Sequence, residues 1–293
     1  MGRERSHRTK RIVALGHELL EAEHPMTLRQ LFYRLVSVEA LENTQPDYQR
    51  LSRILTDARE RGEIPFEWIV DRSRPKYEAS VFRDPAAYAE AVKHSYRKDY
   101  WREQTWYVEI WTEKDAILGS IEPVTDDLGV TVRVGRGFLS TTRAHEIAET
   151  FLGIEKPIEV FYLGDHDPSG VCIERDAVRR ISEQMDPGAF GSECFRLERL
   201  AIHPRDISDF DLPPLRIKVS DSRAVAFLRE HGSECVELDA LPPSELRDRL
   251  RRAIEARIDW PSWDRAIMAE RAELESIRKI AGEIGRVAGG GST

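Results

Sequence analysis

The sequence predicts an α/β chain in which a helical first part precedes a part built on a central parallel sheet, with helices closing the chain. Three observations carry that expectation. The first hundred residues repeat apolar side chains at helical spacing. From Thr105 the texture changes to short β-rich runs that alternate with helical stretches. From Ser244 onward the spacing is helical again. With 293 residues, 41% of them hydrophobic and 33% charged, the chain has material for two domains with separate cores.

The elements follow in order. Arg11–Glu23 places Ile12, Leu15, Leu19 and Ala22 on one helical face. Thr27, with Gln30 three residues later, predicts a capping box that opens a helix over Leu28–Val36. Pro46 marks a helix start, and Tyr48, Leu51, Leu55 and Ala58 form its apolar face until Gly62 stops it. The opposite face carries Gln49, Arg50, Arg53, Thr56 and Arg59. Ile64–Val70 predicts a short strand, followed by a basic turn with Arg72, Arg74 and Lys76. Helix, helix, polar-faced helix and strand is the order of a winged-helix DNA-binding domain. A generic helical bundle fits the same pattern.

In the second part, strands are expected at Trp106–Thr112, Val130–Val134, Ile158–Leu163 and Phe195–Leu200. Helices are expected over Lys114–Ile121, from about Thr141 to Phe151, and after Gly170. Helices over Ser244–Ile258 and Trp263–Val287 close the chain, and Gly289–Gly291 reads as a frayed tail. The expected domains are residues 1–103, 104–258 and 259–293.

Composition excludes some roles. No apolar run approaches the ~18 residues that span a bilayer, and no leader pattern opens the sequence, so neither a membrane nor a secreted protein is expected. Cys172, Cys194 and Cys235 are odd in number and form no CxxC pair. That pattern excludes a disulfide scaffold and suits a reducing cytoplasm. The net charge is −8, but it is unevenly spread. Residues 1–105 carry 19 Lys and Arg against 17 Asp and Glu, and the rest carries 25 against 35. Such a split suits a part that touches phosphate beside a part that holds metal with carboxylates; chance variation between two solvated surfaces gives the same split.

Three acidic residues stand where strands give way to loops: Glu113 after the first strand, Asp165 and Asp167 after the third. Ligands of open α/β sheets gather at the carboxyl ends of strands. Oxygen donors without a cysteine cluster suit magnesium or manganese. Taken alone, an Asp-x-Asp pair at a strand end more often makes a turn. Here Thr112-Glu113-Lys114-Asp115-Ala116-Ile117, with Gly164-Asp165-His166-Asp167-Pro168-Ser169-Gly170, resembles the Toprim domain of topoisomerases, primases and several nucleases. The wording is nearest to the topoisomerase VI A subunit and its relative, the meiotic double-strand-break protein. Gly135-Arg136-Gly137-Phe138 and Thr142-Arg143 resemble the glycine turn and Thr-Arg helix that the family has between those segments. Glu237-Leu238-Asp239-Ala240-Leu241 resembles a late family segment.

The resemblance implies a winged helix followed by a Toprim domain, with Glu113, Asp165 and Asp167 binding magnesium or manganese. It also implies a nucleophile. Thr27-Leu28-Arg29-Gln30-Leu31-Phe32-Tyr33 resembles the family segment whose tyrosine attacks DNA, so Tyr33 takes the nucleophile's place and Arg29 matches the arginine four residues before it. At ~100° per residue, Phe32 joins Leu28, Leu31 and Leu35 on the apolar face, and Tyr33 points off it. A tyrosine packing at the surface against a neighbouring helix is the plain alternative. The implied partners are double-stranded DNA, a second copy in a homodimer, because the family pairs the tyrosine of one protomer with the metal of the other, and a separate ATPase B-type subunit, since no GxxxxGKS/T loop is present. The implied place is the nucleoid. A Toprim nuclease that cleaves DNA by hydrolysis is the alternative activity, and a DNA-binding protein without catalysis a further one; His166 reads as turn filler.

Overall fold

The computed structural model describes residues 6–71, 79–135, 137–185, 195–217 and 222–289. Helices α1 (His7–Glu23), α2 (Leu28–Ser37) and α3 (Gln45–Glu60) open the chain, and α4 (Pro85–Ser95) follows. Strands and helices then alternate: β1 (Tyr107–Thr112), α5 (Leu118–Thr125), β2 (Thr131–Val134), α6 (Thr141–Leu152), β3 (Ile158–Leu163), α7 (Pro168–Gln184) and β4 (Phe195–Ala201). After them come α8 (Pro204–Asp209), β5 (Leu215–Arg216), α9 (Ala224–His231), β6 (Glu234–Cys235), α10 (Pro243–Glu255) and α11 (Trp260–Gly289).

The chain forms two compact units, residues 1–74 with 108–256, and residues 75–107 with 257–293. The cuts differ from the expected boundaries at 103 and 258. The opening helices and the sheet share one unit, because α2 packs on the turn Leu238–Ala240. In that unit Ile12 and Leu20, Leu31 and Leu35, and Leu51 and Leu55 form a buried core among the first three helices. The sheet runs β2-β1-β3-β4 and is parallel throughout. Every residue of β3 is buried, as is β1 from Val108 on, which is what a parallel strand covered on both faces requires.

The second unit pairs α4 with α11. The Lys98 ammonium lies 2.6 Å from Glu273, and the Tyr100 hydroxyl donates to Glu270 at 2.8 Å. The rings of Tyr100 and Trp101 pack edge-on against Trp263.

Helix α4 was not expected, although Asp84 caps it and Pro85 fills its first position, a recognisable helix start. The strand expected at Ile64–Val70 is instead a 3₁₀ turn, Phe66–Trp68, with one parallel bridge between Met26 and Ile69. The Pro65 ring cannot donate to a ladder there. Among the described residues, no helix is long and apolar enough to cross a membrane.

Candidate active site

The site begins at the first turn of α2. The Thr27 hydroxyl accepts the Gln30 backbone N–H at 3.0 Å, and the Gln30 side chain accepts the Thr27 N–H at 2.8 Å. The Thr27 hydroxyl also donates to Asp239 at 3.3 Å, which fixes the helix start on the loop after β6. Arg29 then reaches Glu237 with both arms of its guanidinium, Nε at 2.5 Å and Nη2 at 2.7 Å. One turn later the Tyr33 hydroxyl donates to Glu237 Oε2 at 3.2 Å and accepts from Arg29 Nη2 at 3.4 Å.

Tyr33 does leave the apolar stripe of α2, but it does not reach water. It is 1% exposed, because the surface it meets belongs to the sheet part of the same unit. Burial, and then the Glu237 carboxylate, push its phenol well above the ordinary tyrosine range, against the opposing pull of Arg29. Burial would also raise Glu237, yet Arg29 and Lys114 hold its carboxyl below the usual range and keep it ionised.

Lys114 follows Glu113 at the end of β1. Its ammonium lies 2.8 Å from Asp239 Oδ2, 2.9 Å from Asp165 Oδ1 and 3.8 Å from Glu237 Oε2. Burial acts to lower its pKa, and these three carboxylates overcome that and raise it. No role was expected from the sequence for Lys114, Glu237 or Asp239. The only signals in the sequence were the Lys of the Glu-Lys-Asp-Ala segment and the late Glu-Leu-Asp-Ala-Leu segment.

Asp165 accepts the Leu238 backbone N–H at 2.7 Å, and Asp167 caps α7 by accepting the Gly170 N–H at 2.7 Å. The glycine is required there: a Cβ on Gly170 would come 2.3 Å from the Asp165 carbonyl oxygen. Glu113 accepts the Tyr162 hydroxyl at 2.5 Å. Its carboxyl is pushed up first by burial, against the Tyr162 hydrogen bond, and further by the negative charges of Asp165 and Asp167. Burial also raises Asp165 in spite of Lys114.

Among the described residues, no group of three His, Cys, Asp or Glu side chains stands close enough to hold a metal ion as placed. In donor chemistry the three carboxylates do fit a hard divalent ion. They offer oxygen only, Glu113 and Asp165 are held at raised pKa by burial, and Asp165 and Asp167 each commit one oxygen to a backbone N–H. Beside Glu113 a cavity of about 260 Å³ is lined by Trp111, Arg133, Phe138, Arg143 and Tyr162.

His166 is not turn filler. It is 2% exposed, exchanges backbone hydrogen bonds with Val236 at 2.9 and 3.0 Å, and packs its ring on Phe227 and His231. Burial and the neighbouring His231 lower its pKa to about 4.

The expected DNA-binding residues divide. Arg53 is exposed on α3 and Arg50 half-buried. Arg59 does not face solvent freely: its Nη2 donates to the Phe66 carbonyl at 2.8 Å and its guanidinium lies 4.6 Å over the Phe66 ring. It ties α3 to the following turn. Arg72, Arg74 and Lys76 lie outside the described residues. A cleft of about 620 Å³ runs beside these helices, lined among others by Arg29, Tyr48, Thr56, Arg59 and Asp239. The sequence matches no protein-family model, and no curated protein matches it.

Proposed function

We propose that this chain cleaves the backbone of double-stranded DNA in the manner of a topoisomerase VI A subunit, with a winged helix carrying Tyr33 and a Toprim domain carrying Glu113, Asp165 and Asp167. One observation carries the reading. Tyr33, the expected nucleophile, is joined to Asp165, an expected metal ligand, through Glu237 and Lys114. Two motifs far apart in sequence thus meet in one polar cluster of a single chain, whereas the family resemblance implies that the tyrosine of one protomer works with the metal of the other.

In this reading the Tyr33 Oη attacks phosphorus as its proton passes to the ionised Glu237. The P–O3′ bond breaks, the leaving oxygen takes a proton from water, and the DNA 5′ end stays on the tyrosine, which allows resealing. Arg29 fixes the phenol and the carboxylate relative to each other by its two-armed bond. Glu113, Asp165 and Asp167 would hold magnesium or manganese, which when bound supplies charge stabilisation at the phosphate. Arg50 and Arg53 supply backbone contacts to DNA. A homodimer and a separate ATPase subunit belong to this proposal.

A second reading, metal-dependent hydrolysis, is favoured by a specific observation: Tyr33 is buried and its proton is held tightly. There Tyr33 is a latch and water is the nucleophile. Supercoiled plasmid incubated with the protein and magnesium, then analysed with and without protease, separates the two. Protein-linked 5′ ends that vanish in Tyr33→Phe support transesterification. Free ends in both proteins replace it with hydrolysis, and intact plasmid under all conditions removes both.

A further inference from the structure

Lys114 occupies a place that chemistry normally gives to a metal ion. Its ammonium is in contact with Asp239 at 2.8 Å and Asp165 at 2.9 Å, with Glu237 at 3.8 Å. The three carboxylates come from two elements, the loop after β3 and the loop after β6, and none is on the lysine's own strand. Each is held from behind. Asp165 accepts the Leu238 N–H, Glu237 the Arg29 guanidinium, and Asp239 the Thr27 hydroxyl. These bonds keep the three carboxylates near one another despite their repulsion. Asp239 is 3% exposed, so solvent does little to screen it.

Three carboxylates face two cations, Lys114 and Arg29. Without Lys114 the cluster carries two uncompensated negative charges, which a divalent ion would neutralise. The Asp239 and Asp165 oxygens, 2.8 and 2.9 Å from the ammonium nitrogen, need to close by ~0.7–0.8 Å to reach magnesium-like distances, and the Glu237 oxygen, at 3.8 Å, by ~1.7 Å. Asp165 belongs both to this cluster and to the set of Glu113, Asp165 and Asp167, so the two cation positions share one ligand, as adjacent ions of two-metal phosphoryl-transfer centres do.

We propose that the Lys114 ammonium is a built-in second cation, which lets the centre work with a single divalent ion and closes a latent second site formed by Asp165, Glu237 and Asp239. This rests on reading Glu113, Asp165 and Asp167 as a metal centre. The arrangement fixes one positive charge beside the reacting phosphate regardless of metal supply, and it couples that charge to Glu237 and so to Tyr33.

The test counts bound Mn²⁺ by electron paramagnetic resonance and by calorimetry, without DNA and without reference to cleavage. Wild type is expected to bind one ion, Lys114→Gln and Lys114→Met two, and Lys114→Arg one. Adding Asp239→Asn to Lys114→Gln should remove the extra ion. Circular dichroism in EDTA and in Mn²⁺ accompanies each protein. A Lys114→Gln chain that is unfolded in EDTA but refolds in Mn²⁺ supports the assignment, and one unfolded in both overturns it. Wild type binding none while Lys114→Gln binds one supports Lys114 as the built-in cation and removes the metal-centre reading. Equal counts in wild type and both neutral variants, or two ions in wild type, overturn the proposal.

Discussion

Tyr33→Phe has a stability effect that can be worked out separately from any chemistry. The ring stays packed, since phenylalanine fills the same volume and Tyr33 is 1% exposed. What is lost is a hydroxyl that donates to Glu237 at 3.2 Å and accepts from Arg29 at 3.4 Å. Hydrogen bonds to charged partners are worth ~1.5–3 kcal/mol when well formed. These two are long, and Glu237 keeps both bonds from Arg29, so no carboxylate is orphaned. The loss should be ~1–2 kcal/mol, rather than the near-zero cost of a tyrosine facing water. With a urea slope of ~3 kcal/mol per molar, the midpoint falls by ~0.5 M. Tryptophan fluorescence of wild type and variant in parallel urea series measures it. An unchanged midpoint would mean that the hydroxyl faces solvent, and a fall beyond 1.3 M, or ~4 kcal/mol, would mean that Phe disrupts the clasp itself; either result refutes the reasoning.

The same phenol predicts alkaline loss of stability. Its folded pKa is raised, so its contribution is complete below pH 10 and declines as pH rises through and beyond that value; wild type should lose more than Tyr33→Phe in urea titrations there. His166 acts at the other end. Its pKa falls from 6.5 to about 4 on folding, so its contribution is present above pH 6.5 and is lost as pH falls toward 4, ~3 kcal/mol in all. In EDTA, His166→Gln should flatten that part of the stability curve, and parallel curves would exclude the effect. Arg133 offers a structural control: its guanidinium meets Glu109, a carboxylate 0% exposed, at 2.8 and 2.9 Å. Arg133→Ala should therefore cost ~3–5 kcal/mol by chemical denaturation. Finally, Arg53→Ala should weaken DNA binding and lower the slope of log K against log salt by ~0.9, while a slope equal to that of wild type would take Arg53 off the interface.

The sheet was legible because a parallel strand buried on both faces writes itself as an apolar run: Ile158–Leu163 is the same six residues in sequence and structure. The cap at Thr27 was legible because its two partners lie within one turn. The bond from Arg59 to the Phe66 carbonyl was not, because a helical wheel gives an angle and says nothing of the loop that returns to meet it. The expected strand near Ile69 failed where a proline removed a donor and left one bridge. The acidic segments after β1 and β3 named Glu113, Asp165 and Asp167, but periodicity carries no information on which distant loop closes over them. The contacts of Glu237 and Asp239 with α2 arise from tertiary packing across two hundred residues, and no local pattern encodes them.

That distance also has a consequence for how the protein is made. Tyr33 and Glu237 are 204 residues apart in the chain. A ribosome adding ~5–20 residues each second needs ~10–40 s to travel from one to the other. During that interval the first three helices can collapse on their shared leucines, but the polar end of α2 has nothing to close on. Arg29 and Tyr33 stand in water, the phenol with its ordinary proton affinity. The clasp is thus a late event of biosynthesis, and a ribosome-bound chain stopped before Glu237 would display the tyrosine that the finished protein conceals.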